Sequence, residues 1–458
     1  MHPEETGRPE DPVRRYRERT GASRELYEEA RESMPGGGTR NAVYHAPYPA
    51  YLTEGEGPRV TDEDGNTYVD FLNNYTTLIH GHADPDVVGR SIERVKRGNA
   101  LGGPHREQVE WARHLCERAP AVERIRFANS GTEATMNAIR AARAYTGNDV
   151  IAKFEGVYHG THDDVQVSVG PPTHLAGPAS DPETVPESAG LPASTTEDVI
   201  TLPFNDPDAV EEKLERHRDD LAGVILCPLM GSKVVPATDA FIDRLDEWTT
   251  DADVPLIFDE VISFRVSEGG AHADYGIEPD LVAFGKIIGG GFAVGAFGGR
   301  EGVMEGFDPR GGPDIVHSGT FNANPVTAAA GLAALEAFTA EEAERINDLA
   351  AGIVDRSRAL FDEHGIAAEI THYASLFNVY LTDGPVEDYR TAHASHHDLE
   401  ERLYFELLDE GIRLAPKLMG CTSTAMGEAE VDAFIEGLDA ALGRLRPAVE
   451  AHAPDLAR

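Results

Sequence analysis

Short apolar runs alternate with amphipathic stretches along the chain from about residue 105. DVIAKFEG, LAGVILCP, VPLIFDE and DLVAFGK each contain an apolar run of strand length, and helical periodicity fills the stretches between strands. IRFANSGTEATMNAIRAARAYTG passes from a strand through a tight turn into a helix. Strands that alternate with helices in this way predict an α/β fold with a mainly parallel sheet.

The pattern changes toward both ends of the chain. We expect the first twenty or so residues to form a charged tail, followed by a helix from about Ser23, a plausible N-cap, to the PGGG turn at 35–38. PRVTDEDGNTYVDFL carries apolar runs on both sides of DEDGN, which predicts a β-hairpin. Helical segments and one more apolar run, SLFNVYL, follow residue 330 and indicate a C-terminal subdomain.

One long stretch follows neither helical nor strand spacing. Residues 170–200 are rich in Pro, Ser, Gly and Thr, so we predict a long loop there. A loop of this length inside a compact chain is either a functional flap or disordered, and the sequence leaves both open.

Composition and charge narrow the function classes. The 458 residues are 41% apolar, which fits two domains or one large α/β domain with an appendage. The 80 acidic residues outnumber the 40 basic ones, giving a formal charge of -40, which argues against nucleic acid or an anionic membrane as a partner. Only six of the basic residues are lysines, a usage typical of salt-adapted cytoplasmic proteins such as those of halophilic archaea.

Cysteine usage and hydropathy agree with a cytoplasmic protein. Cys116, Cys227 and Cys421 lie far apart and form no CxxC pair, so the sequence predicts neither a disulfide framework nor a metal site. The charged N-terminus does not resemble a signal peptide, and no apolar run approaches the roughly 20 residues of a membrane-spanning helix. We therefore expect a soluble protein in the cytoplasm.

A Ser-Gly-Thr turn is the first candidate site. In NSGTEATMNAIR, residues 129–140, it opens a helix and offers free backbone N–H groups, two hydroxyls and the positive end of the helix dipole. That set suits a phosphate. Taken alone, it is also compatible with an ordinary N-cap by Ser130 or Thr132.

A carboxylate and an amine follow at the ends of two apolar strands. Asp259 in IFDEV stands at the carboxyl end of its strand, where open α/β sheets bind ligands, although it could instead cap the next element. Glu260 is compatible with a solvated charge. Lys286 in AFGKIIGGG comes one strand–helix–strand step later, and a desolvated amine there can form a Schiff base. The glycines after Lys286 match neither GxGxxG nor a P-loop.

Two further motifs complete the set. EGVYHG (155–160) places an aromatic ring and an imidazole after a strand, although Tyr158 could equally be a core aromatic, and HSGTFNANP (317–325) is a second hydroxyl-bearing turn. Pyridoxal 5′-phosphate (PLP) requires a phosphate anchor, a stacking ring, a partner for its ring nitrogen and a lysine for its aldehyde. The conjunction of these motifs predicts a PLP site.

These motifs, in this order from about residue 23 to 445, resemble those of the class III, fold type I aminotransferases. The resemblance implies a large domain (81–335) with a mainly parallel sheet and a smaller α+β domain built from both termini (23–80 and 336–458), after a tail (1–22). It implies a homodimer with shared active sites, in which Asp259 pairs with the pyridinium nitrogen and Lys286 bonds the aldehyde. The remaining cofactor contacts that it implies are Ser130, Gly131 and Thr132 on the phosphate, Tyr158 stacked on the ring, His159 and Val261 beside it, and Thr320 on the phosphate of the neighbouring subunit.

Two branches of the class compete for the substrate. KFEGVYHG and GAFGGREGVM resemble glutamate-1-semialdehyde aminomutase, but GGGTRNAVYHAPYP and APKLMGCTS depart from its substrate-binding segments. These two segments are more similar to those of β-phenylalanine aminotransferases. That similarity implies that Arg40, with Tyr75 nearby, binds a substrate carboxylate. Lys417 replaces an arginine that accepts α-carboxylates, and Cys227 replaces the usual glutamate. The alternative for Arg40 is that it binds no substrate and is an ordinary solvated charge on the surface.

The sequence thus predicts a transaminase that moves an amino group from a small carboxylated amine, perhaps a β-amino acid, to an oxo acid. The alternative within the class is glutamate-1-semialdehyde 2,1-aminomutase, which returns the amino group to its own substrate. The third hypothesis is a non-catalytic binding protein on the same fold. The presence of both Lys286 and Asp259 argues against it.

Overall fold

The computed structural model describes residues 11–458, in which three β-sheets are surrounded by helices. The strands are β1 Leu52–Glu56, β2 Arg59–Asp62, β3 Thr67–Asp70, β4 Arg124–Ala128, β5 Val150–Phe154, β6 Val199–Leu202, β7 Leu221–Leu226, β8 Leu256–Asp259, β9 Leu281–Gly285, β10 Gly295–Gly299, β11 Glu369–Tyr373, β12 Leu376–Tyr380, β13 Ile412–Arg413 and β14 Met419–Cys421. The helical elements are α1 Pro12–Arg19, α2 Gly21–Arg31, α3 Asn73–Thr76, α4 Pro85–Lys96, α5 Arg106–Arg118, α6 Gly131–Thr146, α7 Pro207–His217, α8 Asp239–Ala252, α9 Ala271–Tyr275, α10 Glu301–Met304, α11 Pro325–Ala337, α12 Ala340–Glu363, α13 Tyr389–His393, α14 His397–Asp409 and α15 Glu428–His452.

A seven-stranded sheet in the order β4-β10-β9-β8-β7-β5-β6 forms the centre of the molecule. The strands from β9 to β6 are parallel, and β10 runs antiparallel to both of its neighbours, so β4 points the same way as the parallel set. The mainly parallel sheet predicted from the apolar runs is therefore confirmed. β10, a glycine-rich strand, was not predicted.

Helix α6 packs across this sheet on β7, β9 and β10. Its buried positions are mostly alanines, and such small side chains let the helix axis lie close to the strands. Gly147 ends the helix in the left-handed conformation that favours glycine. The start of α6 is thereby fixed beside the carboxyl ends of the parallel strands.

The two smaller sheets combine distant parts of the chain. β1, β2 and β3 form the predicted hairpin region, and β13 from the C-terminal part adds to β3 in parallel. β11, β12 and β14 form an antiparallel sheet. The N-terminal and C-terminal segments therefore share one sheet, while the domain boundaries given above stay a prediction.

The N-terminal region differs from the prediction of a tail followed by a helix from Ser23. Residues 1–10 lie outside the described residues, but α1 already begins at Pro12, and Tyr16 is buried in the core. α2 begins at Gly21, and the Ser23 side chain, rather than capping the helix, donates to Asp64 at 2.8 Å. Arg15 and Arg19 pair with Glu406 and Asp409 of α14, which fastens α1 to the C-terminal region.

The 170–200 segment is the predicted loop over most of its length. It contains one short 3-10 turn, Ala193–Thr196, and its last residues enter β6. Among the described residues, no helix combines the length and apolar character needed to cross a membrane.

Candidate active site

The chemistry-bearing residues predicted from the sequence meet at one edge of the central sheet. Ser130 comes shortly after β4, Asp259 is the last residue of β8 and Lys286 follows β9 directly. The turn at residues 155–160 follows β5. Because these strands point in the same direction, their carboxyl ends bring the four segments together, as expected for ligand sites of open α/β sheets.

The N-terminus of α6 forms one side of this edge. Ser130 caps the helix, since its Oγ accepts a hydrogen bond from the Glu133 N–H at 3.2 Å. A Cβ added to Gly131 would lie 2.9 Å from Cγ1 of Val261, so Val261 packs directly on the first turn. First-turn N–H groups have no intrahelical acceptor, and with the helix dipole they suit an anion.

The turn after β5 packs against the same helix start. Gly160 has a φ of +104°, and a Cβ there would lie 2.7 Å from Oγ1 of Thr132. The Thr132 hydroxyl also accepts from the Thr161 N–H at 3.2 Å. Tyr158 lies beside Thr132 and is 50% exposed, so its ring is not a core aromatic. Burial and then the Asp259 carboxylate raise the pKa of the Tyr158 hydroxyl, which stays protonated.

Asp259 is held by two donors. Its Oδ2 lies 2.8 Å from Nδ1 of His159, and its Oδ1 accepts from the Val261 N–H at 3.0 Å. Burial lowers the pKa of His159, so the imidazole is neutral and Nδ1–H donates to the carboxylate. Within residues 11–458, Nε2 of His159 is buried without a hydrogen-bond partner. These two hydrogen bonds fix the orientation of the carboxylate at the sheet edge.

Lys286 places an amine next to that carboxylate. Its φ of +50° lies in the left-handed region, which is costly for a residue with a side chain and is typical of strained functional positions. Burial lowers the pKa of the Lys286 amine, the nearby Asp259 and Cys227 oppose that shift, and the Arg265 guanidinium adds to it. The net result is an amine that loses its proton more readily than a surface lysine.

Arg265 is a buried cation that the sequence analysis did not single out. Its guanidinium is 0% exposed and donates to Oγ of Ser375 at 2.9 Å, to the Thr76 carbonyl at 3.2 Å and to the Thr422 carbonyl. All three acceptors are neutral. An arginine inside the apolar run ISFRV was the sequence signal that could have revealed it.

The Thr76 carbonyl belongs to α3, which is a left-handed turn. Residues 73–76 all have positive φ, from 46° to 71°, although left-handed residues normally occur singly. The turn carries two groups toward the N-terminal segment. Asn74 Oδ1 accepts from Nη1 of Arg40 at 2.9 Å, and the Tyr75 hydroxyl donates to the Ala42 carbonyl. Arg40 and Tyr75 thus lie together, and Arg265 connects their turn to the surroundings of Lys286.

Two predicted residues, Lys417 and Thr320, lie apart from this cluster, whereas Cys227 lies close to it. Lys417 is exposed and lies within electrostatic reach of Lys233, His393 and His397, none of which acts on Lys286. Thr320 is exposed. Cys227 lies in the core near Asp259 and Lys286, and burial raises the pKa of its thiol.

Glu260 is not the solvated charge that the sequence allowed. Its side chain is fully buried, and it accepts from the Ser263 hydroxyl at 2.7 Å and from the His272 N–H at 2.8 Å. Nδ1 of His272 lies 2.8 Å from the same carboxylate. Through these hydrogen bonds Glu260 stabilises the segment that follows β8, up to His272.

The residues present fit PLP, the cofactor predicted from the sequence. The start of the helix after Ser130 offers backbone N–H groups that suit a phosphate, and the doubly held Asp259 suits a protonated ring nitrogen. In the part of the chain that is described, no hydrogen bond or salt bridge engages the Lys286 amine, so it is available to an aldehyde.

Comparison with known proteins gives matches over almost the whole chain. The family model described as "Aminotransferase class-III" matches residues 41–419. A glutamate-1-semialdehyde 2,1-aminomutase from Methanosphaera stadtmanae is 37% identical over 431 residues, or 92% of this chain and 98% of the relative. Further curated relatives with this name are 36% to 39% identical.

Several matching solved structures bear transaminase names. An omega-transaminase from Sphaerobacter thermophilus is 45% identical with a TM-score of 0.90, over 94% of this chain and 99% of the other. A β-phenylalanine aminotransferase from Variovorax paradoxus is 34% identical with a TM-score of 0.85, over 98% of each chain.

Proposed function

Because the chain belongs to the class-III aminotransferase family, we propose that it transfers the amino group of a small carboxylated amine to an oxo acid. Family membership confirms the predicted enzyme class, the PLP-dependent fold and the cofactor. The observation that carries the proposal is the pairing of a strained, readily deprotonated Lys286 with the doubly held Asp259 at the sheet edge.

Each residue has a definite task in this proposal. PLP, when bound, supplies an electron sink for the carbon next to the substrate nitrogen. Lys286, as a neutral amine, would take the proton from that carbon and then give the same proton to C4′ of the cofactor. Asp259 keeps the proton on the cofactor ring nitrogen, and His159 keeps Asp259 oriented through the 2.8 Å bond. The first turn of α6 binds the phosphate.

The surroundings of Arg40 support the proposal that the substrate carries a carboxylate. The Arg40 guanidinium is exposed, and among the described residues it donates to one neutral acceptor, Asn74 Oδ1, so that within this part of the chain its other donors are free for a carboxylate. Lys417 remains a proposed second carboxylate contact, although its neighbours Lys233, His393 and His397 are not those of Lys286.

Glutamate-1-semialdehyde 2,1-aminomutase is the second candidate. The names of the curated relatives favour it, and by those names it is better supported than the transaminase. The transaminase is favoured by the 45% identical omega-transaminase structure and by the departures of the sequence from the substrate-binding segments of the aminomutase.

Dependence on an acceptor separates the two reactions. The PLP-loaded protein is given a β-amino acid such as β-phenylalanine with and without 2-oxoglutarate or pyruvate, and separately glutamate-1-semialdehyde alone. If the protein is a transaminase, we expect turnover only when an oxo acid is present, with one amino group transferred for each oxo acid consumed. Sustained conversion of glutamate-1-semialdehyde without an acceptor would replace this proposal with the aminomutase.

We infer further that the working unit is a homodimer with shared active sites. Thr320 lies on an exposed segment in which Val316 is 73% and Phe321 60% exposed. α4 also presents an apolar face, of which Val88, Ile92 and Val95 are 41% to 53% exposed. A second copy that covered these side chains would bring Thr320 to the neighbouring phosphate. Light scattering at working concentration tests this, and a monomer with full activity would refute it.

A further inference from the structure

A partly buried ion pair joins the turn at residues 155–160 to a distant helix. Glu155, which opens the turn at residues 155–160, is only 4% exposed. Arg390 of α13 meets it with two parallel bonds, from Nε to Oε2 at 2.9 Å and from Nη2 to Oε1 at 3.0 Å. This bidentate arrangement fixes both position and angle of the carboxylate. Glu155 is three residues from Tyr158 and four from His159.

The same guanidinium holds the long 170–200 loop. Nη1 of Arg390 donates to the Gly177 carbonyl at 2.8 Å, and Nη2 donates to the carbonyls of Ala176 and Pro178 at 3.0 and 3.2 Å. The neighbouring Tyr389 hydroxyl donates to the Pro171 carbonyl at 2.8 Å. Arg390 therefore bonds the turn and the loop at the same time.

Three of the six lysines of the chain reinforce this contact. Lys153 Nζ donates to the Val167 carbonyl at 2.6 Å, and Lys213 Nζ donates to the Pro182 carbonyl at 2.8 Å. Lys233 Nζ donates to the Gly156 carbonyl at 2.9 Å. Lys153 and Lys213 thus bond backbone carbonyls of the same segment, and Lys233 bonds the turn itself. We name residues 167–187 the wall segment.

Packing leaves the turn little room to move. Gly156 has a φ of +81°, and a Cβ there would lie 2.2 Å from Cε of Met230 and 2.6 Å from Cβ of Tyr389. Its N–H donates to the Ser168 carbonyl at 2.8 Å. Glu187 closes the wall segment by accepting from the N–H groups of Val169 and Gly170 at 3.1 and 2.9 Å.

We propose that Arg390 is a positioning residue, which clamps the Glu155 turn against the wall segment and thereby holds Tyr158 and His159 where the cofactor ring binds. The inference rests on the proposed use of PLP at this site. The wall segment is then a fixed part of the site rather than a flap that opens during turnover. The clamp acts through Glu155 and touches neither substrate nor cofactor.

The test compares Arg390→Gln with Arg216→Gln. Arg216 pairs with Asp181 of the same wall segment, but both side chains are nearly half exposed, and the pair does not reach Glu155. PLP affinity is measured by absorbance titration, and the visible circular dichroism of the bound cofactor is recorded at saturating PLP. Circular dichroism at saturation reports the asymmetric surroundings of the ring, which a loss of overall stability alone would leave unchanged.

The proposal predicts that Arg390→Gln weakens PLP binding at least tenfold and reduces the visible dichroism, while Arg216→Gln stays within twofold of wild type in both. If Arg390→Gln retains wild-type affinity and dichroism, or if Arg216→Gln loses as much, the clamp is refuted. Should Arg390→Gln fail to fold because Glu155 is left buried and unpaired, the Glu155→Gln/Arg390→Gln double variant is judged by the same thresholds. A wild-type protein that does not bind PLP would instead contradict the proposed function.

Discussion

Asp259 is the residue whose surroundings specify its role most narrowly. A neutral His159 and the Val261 N–H both donate to it, so the protein itself fixes the orientation of the carboxylate. Asp259→Asn keeps the shape but cannot hold a proton on a ring nitrogen. We expect kcat to fall by about a hundredfold or more with PLP still bound, measured at saturating cofactor and checked by its absorbance. A kcat within threefold of wild type would contradict this role.

Arg40 gives a residue-scale test of the substrate. If it binds the donor carboxylate, Arg40→Ala lowers kcat/KM for β-amino acids by about ten- to a hundredfold, whereas amines that lack a carboxylate lose little. Arg31→Ala is the matched control, since Arg31 is a half-exposed arginine paired with Glu28. Equal, small effects of Arg40→Ala on both substrate types would show that Arg40 is a solvated charge.

Strand β5 carries a buried lysine with a consequence for stability. Burial lowers the pKa of Lys153 from its ordinary 10.5 to about 7, with Glu187 and Glu155 opposing the shift and Lys233 adding to it. Between pH 7 and 10.5 the unfolded chain binds a proton that the folded chain lacks, so this residue makes stability rise with pH through that window.

Lys153→Met should therefore reduce the pH dependence of stability. We expect the gain in Tm between pH 7 and pH 9 to be smaller in the variant than in wild type, because the titrating amine is gone while the apolar stem is kept. Calorimetry at both pH values gives the comparison. Identical gains in the two proteins would show that Lys153 keeps an ordinary pKa.

At the scale of elements, the sequence predicted strands where the apolar run is continuous. β5, β7, β8 and β9 occur where such runs lie, and so the residues at their carboxyl ends could be grouped before the structure was known. β10 escaped prediction because it is built from GAFGG. A Cβ at Gly295 would lie 1.9 Å from the Ser130 carbonyl oxygen, so close approach to the turn before α6, rather than strand propensity, requires that glycine.

Helix α1 and Arg390 show the other limit of sequence analysis. α1 is stabilised by ion pairs of Arg15 and Arg19 with α14, almost 400 residues away, and no local pattern reveals such partners. Arg390 likewise meets Glu155 across 235 residues. The proposed substrate contacts Arg40 and Lys417 could be named only through the family resemblance, because both are exposed and belong to no periodic pattern.

The charge of the whole molecule predicts its response to salt. With 80 acidic and 40 basic residues, mutual repulsion should destabilise the compact state in dilute buffer. Molar salt shortens the screening length to about 3 Å and relieves that repulsion. We expect Tm to rise steeply from low to molar KCl, measured by scanning fluorimetry. A flat response would refute the proposed adaptation to salt.

Lys286 is the amine that we propose bonds the cofactor. Burial lowers the pKa of Lys153, Lys233 and Lys286 alike, but Lys286 is the one placed beside Asp259. Borohydride reduction of the PLP-loaded protein, followed by digestion and mass spectrometry of the peptides, locates the bond directly. We expect one modified lysine, Lys286, and no covalently attached cofactor in Lys286→Ala. Modification of Lys153 or Lys233 instead, or of no lysine, would contradict this assignment.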